Sequence, residues 1–260
     1  MTRHDSDRFR ERYGPWALVT DAHAPAAAEF ACQLAAHGIH LLLTGEGSLV
    51  EELAARLRDE HKVLVGTARL DTADAQFARK VRRLTRNLEV GTLICRVGAP
   101  LPQLPTENDL DSESAIVELN LRVPALLAKH YGELMAGRGR GGILFLAPSP
   151  VYAPAMPGPG GHAEYNASLA EALWYELAPH GVDVMAVTEP RGESPPQGGQ
   201  AESDLGSVVA RALEDLERGS SVPGRMGTFM GHLGSWIFSR EPSERLAGVL
   251  HGRVARSVLN

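Results

Sequence analysis

The sequence predicts an α/β protein: a three-layer, doubly wound parallel sheet with a C-terminal helical extension. Three observations predict it. Short apolar runs alternate with helical patterns from residue 16 to residue 189, which is what parallel strands joined by right-handed helical crossovers produce. The chain has 260 residues with 43% hydrophobic content, enough to bury a sizeable core within a single domain. Its two cysteines, Cys32 and Cys95, draw neither a disulfide framework nor a zinc spacing, so the core has to hold itself.

The elements follow in order. "WALVT" (16–20) is the first strand, and a helix from Pro25 to Ala36 follows it, with proline suited to the first helical turn. "HLLLT" (40–44) and a helix from about Leu49 to Glu60 repeat the unit. "KVLVGTARL" (62–70) leads to a helix within "DAQFARKVRRLTRN" (74–87), and "VGTLICRVG" (90–98) is the fourth strand. "DSESAIVELNLRVPALLAKHYGELMAG" (111–137) reads as one long helix, with Asp111 or Ser112 as its N-cap. "GGILFLAPS" (141–149) is the fifth strand, followed by the Pro/Gly loop "PVYAPAMPGPGG", a helix from Ala163 to Ala178 and the strand "VDVMAVTE" (182–189). In such a sheet the functional site belongs at the carboxyl ends of the strands.

Residues 1–13 read as an N-terminal arm, 14–190 as the core, and 191–258 as a loop and helices of the same domain. The loop is "PRGESPPQGGQAES", and helical patterns follow at Asp204 to Arg218, Arg225 to Ser239 and Pro242 to Ser257. Phe229, Met230, Leu233, Trp236, Ile237 and Phe238 form an apolar stripe in the second of these. Packing as a lid or dimer contact is the expected use of such a stripe, with contact to a membrane surface as the alternative.

Composition narrows the partners. A formal net charge of -6 carries no basic footprint for nucleic acid. The charged N-terminus "MTRHDSDRFRERYGPW" has no apolar leader region, and no stretch reaches the roughly 18 apolar residues of a membrane span, so a cytoplasmic protein with no membrane span is expected.

The stretches "YGPWALVT", "LEVGTLICRVG", "ELNLRVPALLA", "GRGRGGILFLAPS" and "EYNASLAEALWYELAPHGVDVMAV" together resemble the short-chain dehydrogenase/reductase family over nearly the whole chain. "SSVPGRMGTFMGHLGSW" is similar to the C-terminal extension of a bacterial branch resembling fatty-acyl and steroid ketoreductases. The resemblance implies a Rossmann-like fold. It also implies carbonyl reduction with NAD(P)H, by a Tyr-x-x-x-Lys pair, a serine and an asparagine, with a glycine-rich turn cradling the pyrophosphate. Dimerisation through the helices at about 111–136 and 163–178 is implied as well.

Set against that pattern, Asp21, Pro25 and Ala27 stand where the three turn glycines would be. Side chains there block the close approach of backbone N–H groups to phosphate, and Asp21 adds a negative charge beside the pyrophosphate position. Glu46 follows the second strand, where it would repel a 2′-phosphate and could accept from a ribose hydroxyl. Cys95, Arg96, Val97 and Gly98 replace the family's Asn-Asn-Ala-Gly, and the neighbourhood of Glu189, Pro190 and Arg191 replaces its Pro-Gly. Arg96 should project at the mouth of the cofactor cleft, either pairing with Asp21 as a plug, the preferred reading, or holding an anionic ligand.

In "EYNASL", Tyr165 matches the family tyrosine while Leu169 occupies the lysine position, supplying neither charge nor donor. Asn120 matches the family asparagine. Counting along "GGILFLAPS" without a gap puts Pro148 at the serine position and Ser149 one residue later. The candidate catalytic residues are Tyr165, Ser149, His162, Asn120 and Tyr152. His162 is included because its ordinary pKa suits proton transfer near neutrality. No cofactor-binding residues and no metal site are assigned, and no cofactor is expected. The expected function is a non-redox reaction (isomerase, dehydratase or cyclase type) on a small hydrophobic carbonyl compound. A non-catalytic subunit supporting an active partner and an atypical NAD(P)-dependent carbonyl reductase are the alternatives. A homodimer, or a heteromer with a relative, is the expected assembly.

Overall fold

The computed structural model describes residues 3–72, 74–96, 110–148, 159–189 and 205–219. Six parallel strands form one sheet: β1 (Trp16–Val19), β2 (His40–Thr44), β3 (Val65–Ala68), β4 (Val90–Arg96), β5 (Gly141–Pro148) and β6 (Val182–Glu189), in the order β3-β2-β1-β4-β5-β6. The sheet is thus doubly wound and Rossmann-like, as the alternation of strand and helix requires.

Both faces are covered, and the strands show it residue by residue. Ala17 and Val19 of β1 and Leu41 and Leu43 of β2 join one buried cluster, with α1 (Arg3–Tyr13), α2 (Pro25–Ala36), α3 (Ser48–His61) and α8 (Leu205–Glu217). Leu18, Leu42, Leu93 and Phe145, at the alternate positions, join the opposite cluster with α4 (Phe77–Leu84), α6 (Val123–Arg138) and α7 (Pro159–Leu177). The period-2 geometry of a strand sends successive side chains to opposite faces, so each strand serves two cores at once. In the middle of the sheet β1 pairs with β2 in register from Trp16 with His40 to Val19 with Leu43, and with β4 up to Val19 with Ile94.

Several elements differ from their sequence-based bounds. Residues 3–13, set apart as an arm, form α1, whose Phe9 and Tyr13 are fully buried. Burying each ring contributes about 1.5–3 kcal/mol, which holds a helix too short and too polar to be stable alone. The predicted long helix over 111–137 begins at Leu110, ahead of the expected caps Asp111 and Ser112. It consists of α5 (Leu110–Val117), a π turn at Glu118–Arg122, and α6. The helix expected from Ala163 starts four residues earlier at Pro159 and closes with a 3₁₀ turn at Ala178–His180. The third strand and fourth helix are shorter than their apolar runs suggested. Of the three helical patterns after residue 203, the first is α8, and the other two, with the apolar stripe from Phe229 to Phe238, lie outside the described residues. Among the described residues no helix is long and apolar enough to cross a membrane.

Candidate functional site

The strand order reverses direction between β1 and β4, so a crevice opens at their carboxyl ends. The turn leaving β1 is tightly specified. The Thr20 N–H donates to the Ile94 carbonyl at 3.0 Å, and the Ala22 N–H donates to the Thr44 carbonyl at 2.9 Å, which ties the turn to β4 and to β2. The Ala24 N–H donates back to the Asp21 carbonyl at 2.9 Å, and Asp21 takes φ +49°. That is the left-handed region, native to glycine and tolerated by aspartate. The turn has therefore kept a glycine-type backbone while gaining a carboxylate. Pro25 sits in the first turn of α2, where its missing N–H costs no intrahelical bond.

Asp21 faces β4. Arg96 Nη1 lies 3.9 Å from Asp21 Oδ2, and the two side chains are 17% and 13% exposed, which makes this a largely buried ion pair. The Thr72 hydroxyl donates to Asp21 Oδ1 at 3.3 Å, and the Arg96 main-chain N–H donates to Thr20 Oγ1 at 2.9 Å. Burial pushes the Asp21 carboxyl above its ordinary range, opposed by Arg96, His23 and the Thr72 bond, and assisted by Asp71. An ion pair would by itself lower it, so here desolvation exceeds what Arg96 returns across 3.9 Å. Beneath the pair, the fully buried Cys95 thiol is pushed up to about 12 by burial and by the Asp21 charge.

This chemistry decides how the turn treats a nicotinamide dinucleotide. A pyrophosphate would bring two negative charges to the start of α2, close after a turn that already carries a largely buried carboxylate. In this conformation the residues of the turn do not fit a dinucleotide. Glu46 is exposed after β2, as a loop residue at a ribose position would be. On the outer side of the turn a cavity of about 420 Å³ lies between α2 and α3, bordered by Ala28, Leu53, His23, Glu52 and Arg56.

The opposite side of the crevice is built from the π turn and α7, which pack together. Asn120 lies in the π turn and is fully buried. The Asn166 amide donates to the Asn120 main-chain carbonyl at 2.9 Å, and Asn166 is itself fully buried. Tyr165, the preceding residue, is 41% exposed on α7. Leu169, one turn further along α7, is half-buried against the core. His162 falls within α7, while Ser149 and Tyr152 lie outside the described residues. The structure thus places Asn120 and Tyr165 on adjoining elements. Asn166, Thr20 and Thr72 are site residues that sequence reading missed. The signal for Asn166 was slight, a second amide directly after the tyrosine, and a lone threonine beyond a strand end carries none. Among the described residues no cluster of His, Cys, Asp and Glu is arranged to hold a metal ion.

The chain is similar to known proteins in sequence and in fold. No family model matches it. It is 35% identical over 190 residues to the very-long-chain 3-oxoacyl-CoA reductase of Podospora anserina, covering 67% of this chain and 54% of the relative. It is 26% identical over 184 residues to the inactive hydroxysteroid dehydrogenase-like protein 1 of Rattus norvegicus, covering 68% of this chain and 56% of the relative. The chain spans about half the length of these curated relatives. Among solved structures, the bulky-bulky ketone specific alcohol dehydrogenase from Comamonas testosteroni superposes with a TM-score of 0.74 at 26% identity, over 89% of this chain and 98% of that one. These findings correct the expectation of a non-redox isomerase, dehydratase or cyclase. That expectation rested on missing phosphate and ribose contacts, which argue against one way of seating a dinucleotide and carry no information on reaction class. The similar proteins are named as reductases and dehydrogenases.

Proposed function

The chain belongs to the short-chain dehydrogenase/reductase family, and from that premise we propose that it is an atypical NAD(P)-dependent reductase of bulky, apolar carbonyl compounds. The observation that carries this reading is the 35% identity over 190 residues to a long-chain 3-oxoacyl-CoA reductase. The near full-length superposition on an alcohol dehydrogenase specific for bulky ketones supports it. In this reading Tyr165, exposed on α7, hands a proton to the carbonyl oxygen, and Ser149 is a second hydrogen-bond donor to that oxygen. Asn120 is a positioning residue, fixing the π turn against α7 through Asn166. His162 and Tyr152 are assigned to the substrate side. A cytoplasmic dimer formed through α6 and α7 belongs to the same proposal, supported by the exposed apolar side chains of Leu126, Leu134 and Tyr175.

A second reading is favoured by Leu169. Leucine puts no ammonium one helical turn from Tyr165, and a relative is itself named inactive. On that reading the protein binds a ligand or supports an active relative. One experiment separates the two. Purified protein is incubated with NADPH or NADH and a panel of long-chain 3-oxoacyl thioesters and bulky aromatic ketones, and alcohol product is quantified against cofactor consumed. Stoichiometric reduction, lost in Tyr165→Phe, supports the reductase. Cofactor binding with no turnover of any panel member supports the second reading and sinks the first.

A further inference from the structure

We propose that the outward face of α4 is a docking surface for an anionic lipid bilayer, with four arginines as its phosphate-binding groups. The inference stands independently of the reductase reading. Sequence is the first argument. Five cations and one carboxylate, Asp74, fall between residues 74 and 88, in a chain whose formal net charge is -6. Arg79, Arg82, Arg83 and Arg86 are spaced i, i+3, i+4 and i+7, which sets them along one side of a helix, the last of them in the turn that closes it. The stripe is about 10 Å long at the ordinary helical rise.

Burial is the second argument. Phe77, Ala78 and Val81 face the other way, into the core beneath α4. All four arginines are exposed, and none forms an ion pair or a hydrogen bond among the described residues. Asp74, the carboxylate of the segment, is taken by Lys80. Across the junction with α6, Arg82 acts electrostatically on His130 and Glu133, and Glu133 is itself paired with Lys129. The described residues thus leave the charge of this face uncompensated.

Side-chain chemistry is the third argument, and it separates a bilayer from a protein partner. A protein interface is organised around apolar or aromatic anchors, with charge kept to its rim. Here charge takes the centre, no aromatic side chain is exposed on α4, and Leu84, 47% exposed, borders the stripe at its end. The four are all arginine, whose planar fork grips phosphate oxygens through paired N–H bonds, and a leaflet of anionic lipids offers many such groups in one plane. Leu84 is the residue that enters the headgroup boundary beside them. The rest of the chain, net acidic, is repelled by the same surface and so turns the α4 face toward it.

Vesicle co-sedimentation of the full chain, without cofactor or substrate, tests this. Vesicles of phosphatidylserine and phosphatidylcholine in equal parts are expected to carry down wild-type protein at ~0.05 M salt and to release it toward ~0.5 M, where screening shortens the reach of exposed charges. Vesicles of phosphatidylcholine alone should leave it in solution. Each arginine replaced by glutamine should weaken binding about fivefold, and Arg79→Gln, Arg82→Gln, Arg83→Gln and Arg86→Gln together by about a hundredfold or more. Their side chains hold nothing in the fold, so the variants should unfold at the wild-type temperature. A control that loses the same charge elsewhere, by glutamine at the exposed Arg8, Lys62, Arg211 and Arg218, should keep most of the binding. Wild type that ignores anionic vesicles at low salt, a quadruple variant that binds like wild type, or a control that loses as much as the quadruple variant would overturn the proposal. So would equal affinity for a polyglutamate peptide, which would identify an acidic protein as the partner. Carbonyl reduction bears on none of these outcomes: an inactive protein that docks defeats the reductase alone, and an active reductase that ignores the vesicles defeats the docking surface alone.

Discussion

The Tyr13 hydroxyl of α1 lies 2.8 Å from Asp183 Oδ2 on β6 and 2.9 Å from the Leu216 carbonyl near the end of α8. Arg12 completes the junction, reaching Asp183 Oδ2 at 2.7 Å and the Glu217 carbonyl at 3.2 Å. One hydroxyl proton thus serves two buried acceptors, and three segments far apart in the chain are fastened at one point. Burial raises both the Tyr13 hydroxyl and the Asp183 carboxyl, so each depends on the other and on Arg12 for its polar contacts. Tyr13→Phe keeps the ring and removes the donor, and should lower unfolding free energy by about 1–3 kcal/mol. Denaturant titration checks it, and a variant indistinguishable from wild type would make the junction irrelevant to stability.

The buried Asp21 sets a second expectation for stability. Its pKa is raised in the fold above the ordinary 3.8. The folded state therefore holds that proton more tightly than the unfolded chain, and the corresponding stability is present at low pH and lost as the pH climbs from 3.8 through the raised value. Asp21→Asn removes this dependence. Its stability relative to wild type should rise with pH across that window, and a flat difference would show that Asp21 does not titrate abnormally.

Asn166→Ala deletes the donor to the buried Asn120 carbonyl and should destabilise by about 1–3 kcal/mol, with loosening centred on the π turn. Amide hydrogen exchange locates the effect: faster exchange confined to regions away from residues 118–122 would contradict it.

Gly91 is required by contact. A Cβ there would stand 2.2 Å from the Gly14 carbonyl oxygen and 2.6 Å from that of Tyr13, both backbone atoms that cannot swing aside. Gly91→Ala should cost about 1–3 kcal/mol by forcing the end of α1 off β4. Thermal unfolding together with α1 protease sensitivity reads it out, and an unchanged midpoint would refute the close approach.

Leu169→Lys restores the family residue at a half-buried site. Losing leucine's packing should destabilise by about 1–2 kcal/mol, moderated because a lysine stem can carry its charge outward. Carbonyl reduction should not improve in that variant, since Asp21, Pro25 and Ala27 still stand in the turn where the family places its glycines. A gain in turnover from Leu169→Lys alone would show that the lysine was the sole deficit.

Much of the architecture was written in local pattern. α2 runs from Pro25 to Ala36, β2 from His40 to Thr44 and β6 from Val182 to Glu189, as their apolar periods and the Pro25 start signal predicted. Alternation of such elements implies a doubly wound parallel sheet, while the order of its strands is seen only in the folded chain. The reaction class was not legible, because missing cofactor contacts at Asp21, Pro25, Ala27 and Leu169 describe a binding surface and say nothing of the reaction its relatives perform. Tertiary structure alone decided three further things. α1 is a helix because Phe9 and Tyr13 find a core, and its polar sequence gives no stripe strong enough to announce one. The π turn arises where α7 packs and Asn166 claims the Asn120 carbonyl, a bond between residues 46 positions apart. Asp21 holds its left-handed backbone because the Thr44 and Ile94 carbonyls anchor that turn from two neighbouring strands, and its carboxyl is raised by burial against the opposing pull of Arg96. Short-range periodicity encodes which face of a strand or helix is apolar. Burial, register and the meeting of charges depend on distances that exist only once the sheet has closed.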